Sequence, residues 1–131
     1  MATKELRSIL VIEDDKNVQT LTKLALENIG NLEITIADNA TTGLHLLCNE
    51  RYDLVLLDHL LPDEKGSDIF KRIERTVGDL APPILFFTAL EEEAELKKLS
   101  KLRPLGIIKK PFEPFKLIEE IRGHWEKVAQ T

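Results

Sequence analysis

The chain has 131 residues, 43% hydrophobic and 31% charged, with 23 acidic against 18 basic side chains and a formal charge of −5. That length suits one domain around one substantial core, and the acidic balance excludes a surface built for direct contact with nucleic acid or an anionic membrane. No apolar run is long enough to span a bilayer and "MATKELRS" lacks the apolar stretch of an export signal, so the cytoplasm is the expected compartment.

Two periodicities then alternate along the chain. "SILVIED", residues 8 to 14, is a short apolar run ending in acid, the pattern of a strand buried on both faces. From Asp15 to Gly30 the period changes: Val18, Leu21, Leu24, Ala25 and Ile29 recur every three to four residues and predict an amphipathic helix, stopped by Gly30 and Asn31. "EITIA", 33 to 37, is a second, weaker and more exposed strand. Residues 40 to 50 place Ala40, Leu44, Leu47 and Cys48 on one helical face. Cys48 is the sole cysteine, so it forms no internal disulfide and is expected to pack in that helix.

"DLVLLD", 53 to 58, is the third strand, and Pro62 to Gly66 is turn chemistry ahead of a helix from about Ser67 that buries Ile69, Phe70, Ile73 and Val77. "PPILFFTA" sets Pro82 and Pro83 just outside a fourth strand, which ends at Thr88. The charged segment 91 to 101 has only Ala94, Leu96, Leu99 and Leu102 as apolar support, so its helix should be the shallowest-packed. "LGIIK", 105 to 109, is the fifth strand. After Pro111, residues 114 to 129 carry Leu117, Ile118, Ile121, Trp125 and Val128 at helical spacing. The whole reads as a single domain over 1 to 131 with its core at about 8 to 128.

Five short strands separated by helices require right-handed crossovers and a mainly parallel sheet covered on both faces, a doubly wound α/β domain. Periodicity does not reveal strand order. The flavodoxin-like order 2-1-3-4-5 is one common solution, and it opens a crevice beyond the carboxyl ends of strands one and three. The polar exceptions collect there: Glu13, Asp14 and Asp15 leave strand one, Asp58 strand three, Thr88 strand four and Lys110 strand five. Asp15 reads equally well as the N-cap of the helix it precedes. Asp58 does not, because its helix starts several residues later. Clustered carboxylates repel, and a hard divalent cation such as Mg2+ would relieve them while leaving positions open for phosphate. Lys110 offers a point charge to Asp58 or to a phosphoryl oxygen, and Thr88 a hydroxyl. Lys109 points to the opposite face from Lys110 and is expected to be solvated or helix-facing.

In order and spacing, "ILVIEDD", "YDLVLLDHLLPDEKG", "ILFFTA" and "IIKKPF" resemble the receiver domain of two-component response regulators over essentially the whole chain. The resemblance implies that Asp58 accepts a phosphoryl group from phosphohistidine, on a sensor histidine kinase or a histidine phosphotransfer protein, and switches partner binding. It implies that Asp15 and the backbone carbonyl of Leu60 bind Mg2+ (or Mn2+) beside Asp58, with Asp14 reaching the metal largely through water. Asp15→Asn should then weaken Mg2+ binding more than Glu13→Gln. It also implies phosphoryl contacts from Thr88 and Lys110, a cis Lys110–Pro111 bond, and output or partner contacts through helix 4, strand 5 and helix 5. Leu60 and Leu90 stand where the family tunes hydrolysis, and neither can orient a water.

Ile107 replaces the aromatic switch residue common in the family, so the loop after strand four, beginning at Ala89, would have to carry the signal. His59, next to Asp58, is expected to serve surface or helix packing, and His45 and His124 have no companion ligands for zinc. The alternatives are a Mg2+-dependent aspartyl phosphatase or phosphotransferase, a flavin-binding domain and a phosphorylation-independent interaction domain. The first lacks the second aspartate, whose place is taken by Leu60, and the second lacks a Ser/Thr/Gly-rich phosphate loop. The third does not account for a complete acidic, hydroxyl and lysine set. Such a receiver promotes its own phosphoryl transfer but acts as a switch rather than an enzyme.

Overall fold

The computed structural model describes residues 5–62, 64–110 and 113–129. Strands and helices alternate: β1 (Ser8–Ile12), α1 (Lys16–Leu24), β2 (Glu33–Ala37), α2 (Ala40–Asn49), β3 (Leu54–Asp58), α3 (Gly66–Val77), β4 (Ile84–Thr88), α4 (Glu93–Ser100), β5 (Gly106–Lys109) and α5 (Pro114–Ala129). α1 runs on into a wider π-helical turn at Ala25–Ile29, and a short 3-10 turn, Gly78–Leu80, follows α3. The five strands form one parallel sheet in the order β2-β1-β3-β4-β5, with helices on both faces, the flavodoxin-like arrangement.

Alternation along each strand divides the core in two. Leu10, Ile12, Val55, Leu57 and Phe86 face one side with Leu44, Ile69, Ile73 and Leu99. Ile9, Val11, Leu54, Leu56, Leu85 and Phe87 face the other with Ala25, Leu26, Leu117, Ile118 and Ile121. β1, β3 and β4 are apolar through their middles, from Ile9 to Ile12, Leu54 to Leu57 and Ile84 to Phe87, because neither face meets water there. β2, an edge strand, is only partly covered. α4 buries only Leu99 fully, which makes it the shallow helix its sequence suggests.

Two packing expectations are corrected. In α1 the inner face is not the leucine series: Leu21 and Leu24 are about half exposed and Ile29 is exposed, while Gln19, Thr22, Ala25 and Leu26 are buried. The π turn contributes to this, because the amide of Gly30 reaches back five residues to the carbonyl of Ala25 (3.1 Å) and so rotates the chain relative to a regular helix. In α2, Gly43 takes the inward position next to Ile12, and Cys48 is exposed. The Lys110–Pro111 bond lies outside the described residues.

Register brings the strand ends level. Ile12 pairs with Leu57, Asp58 with Phe87 and Thr88 with Lys109, so the residues at and just beyond these ends share one edge of the sheet. The chain then doubles back tightly from β3 into α3: the Gly66 amide donates to the His59 carbonyl at 2.8 Å. A Cβ on Gly66 would sit 2.6 Å from the Asp58 carbonyl oxygen and 2.6 Å from His59 Cα. Both neighbours are backbone and cannot step aside. Gly66→Ala should therefore destabilise the fold by about 1–3 kcal/mol, the usual cost of overpacking. Urea unfolding checks this, and an unchanged midpoint would contradict the contact.

Candidate functional site

Asp58 ends β3 with only 5% of its surface exposed, so each carboxylate oxygen needs a partner. Oδ1 accepts from the Leu60 amide at 3.1 Å, and Oδ2 lies 3.3 Å from Lys110 Nζ. The Lys110 ammonium also donates to Glu13 Oε1 and lies 5.0 Å from the centre of the Phe87 ring. Its backbone is held as well, because the Lys110 amide donates to the Thr88 carbonyl (2.8 Å) and extends the β4–β5 ladder by one step. Lys109 is exposed, in line with strand alternation.

Glu13 is the acid that sequence reasoning saw leaving strand one but left out of the metal site. Its amide donates to the Ala37 carbonyl at 2.9 Å, continuing the β1–β2 ladder, and its own carbonyl accepts from Gln19 Nε2 at 2.6 Å. The side chain is buried, and Oε2 accepts from the Asp15 amide at 3.2 Å. Carboxylate oxygens of Glu13, Asp14 and Asp58 come within 4.8 Å of one another. Burial pushes the Glu13 carboxyl up from its ordinary 4.5 to about 7; Lys110 opposes the shift and neighbouring Asp58 adds to it.

The acids brought together beside Asp58 are thus Glu13 and Asp14, one residue earlier than the Asp14–Asp15 pair expected. Asp15 is exposed, and its Oδ1 accepts from the amides of Asn17 (2.8 Å) and Val18 (3.1 Å) as the N-cap of α1. A side chain satisfying two helix-start amides has turned away from the pocket. The signal for Glu13 was present: aligning the apolar runs "ILVI" and "LVLL", as the β1–β3 register does, sets Glu13 level with Asp58.

The other candidates line the same edge. Thr88 is fully buried, and its Oγ1 accepts from the Leu90 amide at 3.1 Å, which leaves its own hydroxyl proton free to donate. Leu90 is half-buried and Ala89 exposed, while Leu60 is 54% exposed and forms an antiparallel bridge with Lys65. Ile107 packs against the core on the α2–α3 side. His59 is buried edge-on to Phe86, its ring lowered from the ordinary 6.5 by burial and then by Lys65. Its Nδ1 accepts from the Ser67 amide at 3.3 Å, so it caps α3 from outside the helix. Three hard carboxylates, one of them partly open to solvent at Asp14, suit a hard divalent cation that keeps several waters.

This sheet order and acidic edge define a class of α/β signalling domain, and residues 9–122 match the family described as the response regulator receiver domain. The chain belongs to that family, whose members act as self-phosphorylating and dephosphorylating switches rather than as enzymes in the ordinary sense. It is 34% identical over 107 residues to the transcriptional regulatory protein CrdR of Helicobacter pylori, covering 82% of this chain and 49% of that one. It is 31% identical over 121 residues to the nisin biosynthesis regulatory protein NisR of Lactococcus lactis, covering 88% of this chain and 49% of the relative. The chain thus spans about half the length of these curated relatives.

Among solved structures, a CheY-like receiver domain protein from Methanospirillum hungatei superposes with a TM-score of 0.81 at 27% identity, covering 94% of this chain and 96% of that one. The non-phosphorylated HemR receiver domain from Leptospira biflexa gives 0.79 at 28%, covering 91% and 94%.

The raised Glu13 carboxyl makes stability depend on pH in a defined direction. A carboxyl whose folded-state value lies above its unfolded one contributes stability that is full below about 4.5 and is lost as pH rises through about 7. In Mg2+-free buffer, the unfolding free energy of the wild type minus that of Glu13→Gln should therefore fall across that window. A difference that stays flat or rises would show that burial does not govern Glu13.

Proposed function

We propose that Asp58 is the phosphoacceptor, taking a phosphoryl group from a phosphohistidine on a sensor histidine kinase or histidine phosphotransfer protein. The observation that carries this reading is the Asp58 carboxylate itself: buried, fixed by the Leu60 amide, and set between Lys110 and the acids of β1. A carboxylate oxygen of Asp58 attacks phosphorus, the P–N bond breaks, and its electron pair returns to the departing imidazole, which takes up a proton. Asp14, Asp58 and the backbone carbonyl of Leu60 are the residues proposed to hold Mg2+ or Mn2+, with Glu13 behind them. Bound there, the ion would neutralise charge on the phosphoryl oxygens.

Lys110 is shared between two carboxylates and can exchange one of them for a phosphoryl oxygen without leaving the pocket. Thr88 would donate its free hydroxyl proton to a second oxygen. Drawing Thr88 toward phosphorus loosens its bond to the Leu90 amide, so the segment from Ala89 would move with it. With Ile107 in place of an aromatic, that loop and α4 are the proposed route to a partner on the face formed by α4, β5 and α5. The half-exposed Leu21 and Leu24 of α1 offer an apolar face for the phosphodonor. A cytoplasmic setting, in one domain of a longer regulator or free-standing, goes with this reading.

Acetyl phosphate with Mg2+ should add one phosphoryl group to the wild type and none to Asp58→Asn, as read by intact mass. Equal labelling of both proteins would refute the assignment. Leu60 and Leu90 flank the site with no group to orient an attacking water, so the label should decay more slowly in the wild type than in a Leu60→Asn, Leu90→Glu double variant. Equal or slower decay in the double variant, with Mg2+ binding intact, would remove these leucines from control of hydrolysis.

A further inference from the structure

The loop joining β3 to α3 carries Leu60, and α3 grips that loop at two places. At its near end the His59 carbonyl and ring accept from the amides of Gly66 (2.8 Å) and Ser67 (3.3 Å). At its far end Arg72, in the second turn of α3, donates through Nη1 to Glu64 Oε1. Glu64 is the neighbour of Lys65, which stands opposite Leu60 in an antiparallel bridge closed by the Gly66 amide on the His59 carbonyl. Arg72 thus holds the residue next to that bridge, and the bridge sets the chain opposite Leu60, whose amide holds Asp58 Oδ1.

The second oxygen of Glu64, Oε2, is buried with no hydrogen-bond partner among the described residues. An ion pair free to choose its geometry on the surface would hydrate that oxygen. Glu64 keeps 28% of its side chain exposed, yet this oxygen is turned inward, and Arg72 on the other oxygen offsets its charge. With Arg72 removed, Glu64 would lose the cation that offsets its charge at that position beside Lys65.

We infer that Glu64 and Arg72 form a positioning pair for cation binding, setting the Leu60 backbone at the metal-facing edge of the site. This rests on the proposal that Leu60 helps hold the ion. Neither side chain belongs to the acidic cluster, so the pair would act through loop geometry.

Two effects of opposite pattern separate geometry from simple charge. Through-space charge alone predicts that Glu64→Ala weakens cation binding and Arg72→Met tightens it, since one removes a negative and the other a positive group. Positioning predicts that both weaken it. Mg2+ titration calorimetry on the wild type and both variants should show each variant binding about three- to tenfold more weakly, at or below the low end for outer partners of metal ligands. Thermal unfolding in Mg2+-free buffer confirms that each variant is folded.

Opposite signs for the two variants, or affinities equal to the wild type, would overturn the pair's role while leaving Asp58 as phosphoacceptor. A wild type that binds no Mg2+ would overturn the metal reading on which the pair depends.

Discussion

Glu13, Asp58 and Lys110 meet at the carboxyl edge of the sheet with only 2, 6 and 14% of their side chains exposed. One ammonium cannot balance two carboxylates, and Asp14 brings a third within 4.8 Å of them. Desolvated charge of one sign is expensive, so the edge is stable only while something offsets it. Burial, with Asp58 adding to it, pushes the Glu13 carboxyl up from 4.5 to about 7, so a proton there offsets part of the charge. A divalent cation would do so more fully. On the function proposed above, a cation in the acidic cluster and a phosphoryl group at Lys110 would relieve that imbalance.

The scaffold exists to hold that edge still. β1, β3 and β4 are buried on both faces, so their ends cannot fray, and the ladder extends one residue past β1 and β5 to place Glu13 and Lys110. His59 uses its carbonyl and its ring to start α3, which makes the residue after Asp58 part of the helix it introduces. Phe86 links this arrangement to the interior, meeting His59 edge-on and Phe70 in a stack. Against that rigidity, α4 is held fully only by Leu99, and Thr88 is bonded to the start of the segment leading to it. The least anchored helix thus adjoins the residue best placed to feel a phosphoryl group.

Much of this was legible in the sequence. Strand alternation, proline and glycine placement, and the positions of Asp58, Thr88 and Lys110 all follow from local rules, because each strand end is a local event. What escaped depended on relations between elements. Choosing Glu13 over Asp15 needs the register of β1 against β3, together with the knowledge that Asp15 is already engaged by the Asn17 and Val18 amides. The leucines of α1 look like a core stripe until the π turn and the buried Gln19 and Thr22 are seen. Cys48 lost its inward place to Gly43, whose missing Cβ lets α2 approach Ile12. The Glu64–Arg72 link spans eight residues across a loop, and no periodicity marks it.

The central claim is that the apo edge, built from Glu13, Asp58 and Lys110, carries more acid than base and rearranges when a phosphoryl-like group and a cation enter together. Amide chemical shifts recorded before and after adding Mg2+ with beryllofluoride test it directly. The account predicts large shifts at Glu13, Asp14, Asp58 to Leu60, Thr88 to Leu90 and Lys110, extending into α4 and absent in Asp58→Asn. Shifts confined to surface acids, or equal in the wild type and Asp58→Asn, would contradict it.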